Sequence, residues 1–258
     1  HIACDNRNEV EKLSFLDYLL ITLWLGWLGI VPTLLCALVL FFVYRESLTW
    51  WPFLILLVPI GGSWLYPVRL SVQPKIGFNL GEKIMKAAER YFGLRLCYMD
   101  KKAIEDAGPS IFLIEPHDVM PLGLFCFSDS LGYNTGHKNV GCLSGACFMV
   151  PLMKHVYTWA SAQSVAKKNV KRLIEEDYSP TICPGGVQEV TMMREGQREC
   201  ILYLKKRQGT IRLAMEYGRP IVPVFVFGQR STWSFQILRT KFTQWAGRQI
   251  GFAPMVFF

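Results

Sequence analysis

From Tyr18 to Tyr44 the chain runs for 27 residues without a charge, YLLITLWLGWLGIVPTLLCALVLFFVY, between Asp17 and Arg45. A helix of that length reaches about 40 Å, more than the roughly 30 Å of a bilayer's hydrocarbon core. A second uncharged stretch, Ser47 to Val68, follows after only Arg45-Glu46. Pro52, Pro59, Gly61, Gly62 and Pro67 predict that it kinks or ends early. Two such stretches across so short a turn predict a transmembrane hairpin over 18–68, with both ends on one side, after a short cytosolic segment 1–17. Trp24, Trp27, Trp50, Trp51 and Trp64 are expected as aromatic anchors at headgroup level. A signal peptide fits poorly, because the run is too long and the segment before it is net acidic. Arg69, Lys75, Lys83 and Lys86 follow the second stretch, so the positive-inside rule puts the body, 69–258, on the cytosolic side.

That body is basic. Residues 1–68 hold three Lys/Arg against five Asp/Glu, and the remainder holds 25 against 15. Phosphates or acidic headgroups are therefore expected partners. No nucleic-acid motif accompanies the charge, so nucleic acid is not. With 51% hydrophobic residues, disorder and low complexity are excluded. None of the eight cysteines forms a CxxC pair, which predicts mostly reduced, buried thiols and neither a zinc framework nor a small disulfide scaffold; no metal site is expected. The chain begins at His1 and not at an initiator Met, which reads as a fragment or a processed form.

The body alternates helix and strand, predicting an α/β fold with a sheet flanked by helices. Asn79, with Glu82 three residues on, predicts a capped helix whose Leu80, Ile84, Ala87, Ala88 and Tyr91 face inward, ended by Gly93. Ile111 to Ile114 reads as a buried strand. Val165 to Asp177 reads as a helix with Val165, Val170, Leu173 and Ile174 inward. Thr181 to Cys183 reads as a second strand, and a helix carrying Ile211, Leu213, Ala214 and Tyr217 closes at Gly218. Ile221 to Phe227 reads as a third buried strand.

Three constellations can carry chemistry. His117 follows a buried strand in Glu115-Pro116-His117-Asp118, where ligands of open α/β sheets bind. Its imidazole can take a proton near neutral pH, and Glu115 or Asp118 can orient it; a plain cap on the strand end is the alternative. Pro184-Gly185-Gly186-Val187-Gln188-Glu189 also follows a strand. Its glycines let backbone amides approach an oxyanion, and Glu189 can reach a neighbouring imidazole, although Pro-Gly-Gly is also a common turn. Lys205-Lys206-Arg207-Gln208-Gly209 suits phosphate, or is a solvated basic face. No G-x-S-x-G elbow, Walker loop or HExxH is present, which removes support for serine-hydrolase, NTPase and metalloprotease readings.

In chain order these blocks resemble the type 2 diacylglycerol acyltransferase family. Tyr91-Phe92-Gly93 is similar to its YFP block, and Glu115-Pro116-His117-Asp118 to its HPHG block in the EPH form of plant and algal members. Lys154 to Trp159 resembles RHxWTW, Pro184 to Glu189 resembles PGGVQE, and Arg207 to Gln229 resembles RKGF…LVPVFxFGQ. Gly93 departs from the family's Pro, and Asp118 stands where Gly or Ser is usual.

The resemblance implies an acyltransferase-type mixed sheet behind a membrane hairpin, and a chain truncated at Phe258. It implies transfer of a fatty acyl group from acyl-CoA, a co-substrate, to diacylglycerol, with no cofactor. Wax, phytyl or monoacylglycerol ester formation is the alternative, and an inactive lipid-binding or droplet-tethering homologue the second. His117 is the expected base, with Glu189 or Glu115 orienting it. Pro116, Asp118, Gly185, Gly186, Arg207 and Gly209 are expected in the substrate site. Endoplasmic reticulum membrane is the expected location, with lipid droplet or chloroplast envelope as variants; membrane lipids are expected partners, and a homo-oligomer is left open.

Overall fold

In a computed structural model of the chain the described residues are 12–26, 61–63, 65–128, 136–150, 152–194 and 199–238, together with 3–4, 36–37, 39–40, 43, 240, 242–243, 245, 247 and 255–257. Most of the expected membrane hairpin, including 27–35 and 44–60, lies outside them. Among the described residues no helix is long and apolar enough to cross a membrane.

A two-residue strand β1, Ala3–Cys4, pairs antiparallel with β2, Cys97–Tyr98. Helix α1, Phe15–Leu25, starts at a capping box in which Ser14 and Asp17 bond each other's backbone amides. Asp17 also pairs with Arg90, and these contacts hold its carboxyl down to about 2. Leu20, Ile21 and Trp24 of α1 are buried, while Phe15, Leu16, Leu19 and Leu23 are exposed, so the helix is apolar on both sides. Trp24 thus sits in the core, not at a headgroup level: its face of α1 packs on the body.

Helix α2, Lys75–Phe92, begins after Pro74, four residues ahead of the expected Asn79 cap, because Pro suits a helix start. It ends at Gly93, which takes a left-handed φ of 62°. Its Gly77 and Gly81 lie directly on α5, Met153–Trp159: a Cβ on Gly81 would stand 1.9 Å from the Trp159 carbonyl oxygen. Tyr91 turns out to be exposed. Helices α3, Lys101–Asp106, and α4, Leu122–Phe127, flank the first sheet strand, β3, Ile111–Glu115. Strands β4, Asn139–Leu143, β5, Ala162–Ser164, β6, Ser179–Ile182, and β7, Ile221–Phe225, complete a sheet in the order β5-β4-β6-β3-β7. Every pairing in it is parallel, so the expectation of a mixed sheet is corrected. Each connection is long enough for a crossover, which is what parallel pairing requires.

Helices α6, Lys167–Glu175, α7, Gly186–Met192, and α8, Gly209–Tyr217, follow, and β8, Phe235–Ile237, pairs with β9, Met255–Phe257. Alternate residues of β3 face two cores. Phe112 and Ile114 join residues of α1, α2, α4 and α5, and Ile111 joins Val170, Leu173 and Leu213 of α6 and α8. Val165 and Ile211 are exposed, and β7 is a half-exposed edge strand, so none of them is the buried element expected. Cys97 is disulfide-bonded, an exception to the reduced-thiol reading, and Cys36 and Cys200 are exposed.

The Lys154–Trp159 block serves as an anchor. His155 Nε2 lies 2.8 Å from the Ser63 carbonyl oxygen and Lys154 Nζ 3.2 Å from that of Tyr66. Trp159 Nε1 donates to Gln73, and Gln163 Nε2 to the Val68 carbonyl. The chain leaving the second apolar stretch is thereby tied to α5.

Candidate active site

Strands β3, β4 and β6 point their C-terminal ends at one cavity of about 710 Å³. It crosses that edge of the sheet from one core to the other. On the α1/α4/α5 face Trp24, Leu124, Phe125 and Tyr157 line it; on the α6/α8 face Lys167, Lys206, Arg207 and Arg212 do, beside Val170, Leu213 and one carboxylate, Glu216. His117, Cys183 and Gly186 line it as well. An apolar limb and a cationic limb meet at the strand ends, where parallel sheets bind ligands.

His117 is fixed from behind. Its Nδ1 lies 2.8 Å from the Asp118 carbonyl oxygen, an acceptor only, so Nδ1 carries the proton and Nε2 keeps its lone pair. Burial pushes the imidazolium below its ordinary range, against the pull of the Asp118 carbonyl and the Glu189 charge. The ring is therefore neutral, and basic at Nε2, at physiological pH.

The carboxylates stand elsewhere than expected. Glu189, 2% exposed, accepts from the backbone N–H of His117 at 2.7 Å and from that of Tyr203 at 3.1 Å. It holds the segment that carries the ring and makes no hydrogen bond to the ring. Glu115 accepts from the Gly185 amide at 3.1 Å, and its other oxygen is buried without a partner. Burial, then the adjacent Glu189 charge, raise its carboxyl, with the Gly185 amide opposing. Neither carboxylate orients the imidazole directly. Glu115, at the end of β3, is taken up by the Gly185 amide, and Glu189, on α7, by the amides of His117 and Tyr203.

Gly185 therefore has its amide occupied, while its carbonyl accepts from Arg207 at 3.1 Å. The Gly186 amide has no acceptor among the described residues, and a φ of 55° explains the glycine there. Arg207 lies over the Tyr203 ring, 5.3 Å from its centre, and Gly209 starts α8 on the cationic limb. Asp118 is buried with a φ of 53°, a left-handed value that Gly adopts freely, and its carboxylate accepts from the Val119 amide. Pro116 presents its carbonyl to Gln229, as His117 does.

The sequence assigned no role to Gln229, and to Trp24 only that of a headgroup anchor. Gln229 is the informative one: 3% exposed, it donates to both carbonyls and accepts from the Gly123 amide. Its place just after the third strand is a signal that could have found it. The Cys183 thiol is held well above its usual range by burial and by Glu115 and Glu189, which disfavours it as a nucleophile.

The sequence model of the diacylglycerol acyltransferase family matches residues 47–258, and the chain belongs to that family. It is 35% identical over 161 residues to Diacylglycerol O-acyltransferase 1 of Eremothecium gossypii, covering 57% of this chain and 34% of that protein. Against mouse Diacylglycerol O-acyltransferase 2-like protein 6 it is 26% identical over 243 residues, 89% of this chain and 67% of the other. Mouse Acyl-CoA wax alcohol acyltransferase 2 is 23% identical over 189 residues, 68% of this chain and 56% of the relative. The chain thus spans a third to two thirds of the length of these relatives. No solved structure gives a significant match.

Proposed function

We propose that the protein moves a fatty acyl group from acyl-CoA to the free hydroxyl of diacylglycerol. The observation that carries this reading is the cavity in which a cationic and an apolar limb meet at the basic Nε2 of His117. Lys167, Lys206, Arg207 and Arg212 suit the phosphates of coenzyme A. Nε2 takes the hydroxyl proton as the alcohol oxygen attacks the thioester carbon; the C–S bond then breaks, and the imidazolium returns the proton to the leaving thiolate. The Gly186 amide is the free donor for the oxyanion, and Gly185 braces the turn. A thioester is already activated, so the step is written without a metal or redox cofactor. The exposed apolar side of α1 supports a site set against a membrane, with the hairpin of 18–68 as its anchor and the endoplasmic reticulum as its location.

The test is acyl-CoA-dependent triacylglycerol formation in membranes carrying wild type or His117→Ala. Loss of a general base costs about 10²- to 10⁴-fold. Retained turnover removes His117 from the chemistry. Competing diacylglycerol, monoacylglycerol and a long-chain alcohol in one assay identifies the acceptor, and a dominant wax ester would favour the alternative.

A further inference from the structure

Trp24 stands out in the apolar limb. It is 1% exposed and lines the cavity, yet its indole N–H is buried with no hydrogen-bond acceptor among the described residues. Its rings pack edge-on against Phe125 at 4.8 Å and Phe92 at 6.4 Å, partners that offer at most a weak π acceptor. Trp159 marks the contrast, since its indole N–H donates to Gln73. Buried indole N–H groups ordinarily find a partner.

We infer that the apolar limb binds the acceptor lipid, and that Trp24 Nε1 donates to an ester carbonyl of diacylglycerol there. The inference rests on the acyl-transfer reading and assigns one limb to one substrate. The N–H is already without solvent or a partner among the described residues in the free protein, and a saturated acyl tail, which carries no acceptor along its length, leaves it so. Satisfying a stranded buried donor strengthens binding by about tenfold. An acylglycerol brings ester carbonyls a few bonds from its reactive hydroxyl, and so satisfies the N–H while presenting that hydroxyl toward His117. The polar requirement is a single acceptor in surroundings made by Leu124, Phe125 and Tyr157, as expected of a pocket whose few polar groups set specificity. The cationic limb is then left to the acyl-CoA.

The experiment compares 1,2-diacylglycerol with its 1,2-dialkyl ether analogue, which has the same shape and hydroxyl without the carbonyls. Wild type in membranes should show a KM for the ether about tenfold above that for the diacyl lipid. Trp24→Phe keeps an aromatic ring and removes the donor; the ether-to-diacyl KM ratio should fall to near one. A wild-type ratio of one overturns the inference, and so does a ratio that Trp24→Phe leaves unchanged, since Trp24 would then only pack. Should wild type form no ester with any acceptor, the acyl-transfer reading fails by itself. Retention of the two radiolabelled lipids by the protein in mixed micelles then decides the carbonyl contact: equal retention of diacyl and ether lipid overturns it, and a diacyl preference lost in Trp24→Phe upholds it.

Discussion

Replacing Glu189 with Gln tests how much the proposed reaction depends on a buried group that does not line the cavity. Its two oxygens accept from His117 N–H at 2.7 Å and Tyr203 N–H at 3.1 Å, in a side chain 2% exposed. Hydrogen bonds to a charged group are worth about 1.5 to 3 kcal/mol each. Gln keeps one acceptor oxygen and turns an NH₂ toward the other donor, so one bond is lost and two N–H groups are left facing each other. The net cost is about 2 to 3 kcal/mol. If the loosened partner is His117, the ring is no longer held for proton transfer, and that energy converts to about 30- to 150-fold in turnover. The assay is triacylglycerol formation per unit of membrane-inserted protein, read with the thermal melting of the same preparation. A Glu189→Gln protein that melts like wild type and turns over within twofold of it would refute the reasoning. A lowered rate with normal abundance upholds it.

Other outcomes follow from the same geometry. Glu115 holds its proton up to about 8, whereas the unfolded chain releases it near 4.5. The folded state binds the extra proton, so stability should fall as pH rises through that window. Glu115→Gln should flatten the fall, measured by denaturant unfolding at pH 5 and 8.5; an equal slope in both proteins removes Glu115 as its source. His117 is depressed below the usual imidazole range, so kcat/KM should stay level near pH 7 and drop only on acidification below about 6.5. A drop centred above 7 contradicts that environment. Asp118→Gly should be more stable than Asp118→Ala by about 1 kcal/mol, because only Gly takes the φ of 53° without strain; equal melting points would deny it. Gly81→Ala should lower the melting temperature sharply, since its Cβ meets backbone at 1.9 Å, and an unchanged melt would mean that α2 can back away from α5.

The strand ends that carry His117 and Gly186 were legible because Pro and Gly punctuate the sequence there. Leu173, Ile174, Leu213 and Ala214 were legible because their spacing follows a helix face. Strands β4 and β5 were not: Asn139, Gly141 and Gln163 interrupt any apolar run, and burial of these polar residues is settled by neighbours distant in sequence. Pro180 hid the start of the central strand β6, where it forgoes a ladder bond. The hydrogen-bond partners of Glu115 and Glu189 were not legible for a related reason. Their partners lie 70 and 72 residues away, on backbone atoms that no side-chain pattern reveals. Trp24 was hidden differently, for in a stretch apolar on every side nothing distinguishes the inward face of α1 from the outward one.

The cavity that bridges both faces of the sheet has a kinetic corollary. If donor and acceptor occupy the two limbs as proposed, they approach the imidazole from opposite flanks, so neither must depart before the other arrives, and Cys183, held as a thiol, is disfavoured as a covalent acyl carrier. On the proposed reading catalysis runs through a ternary complex, and initial-rate lines for the two co-substrates should intersect, not run parallel.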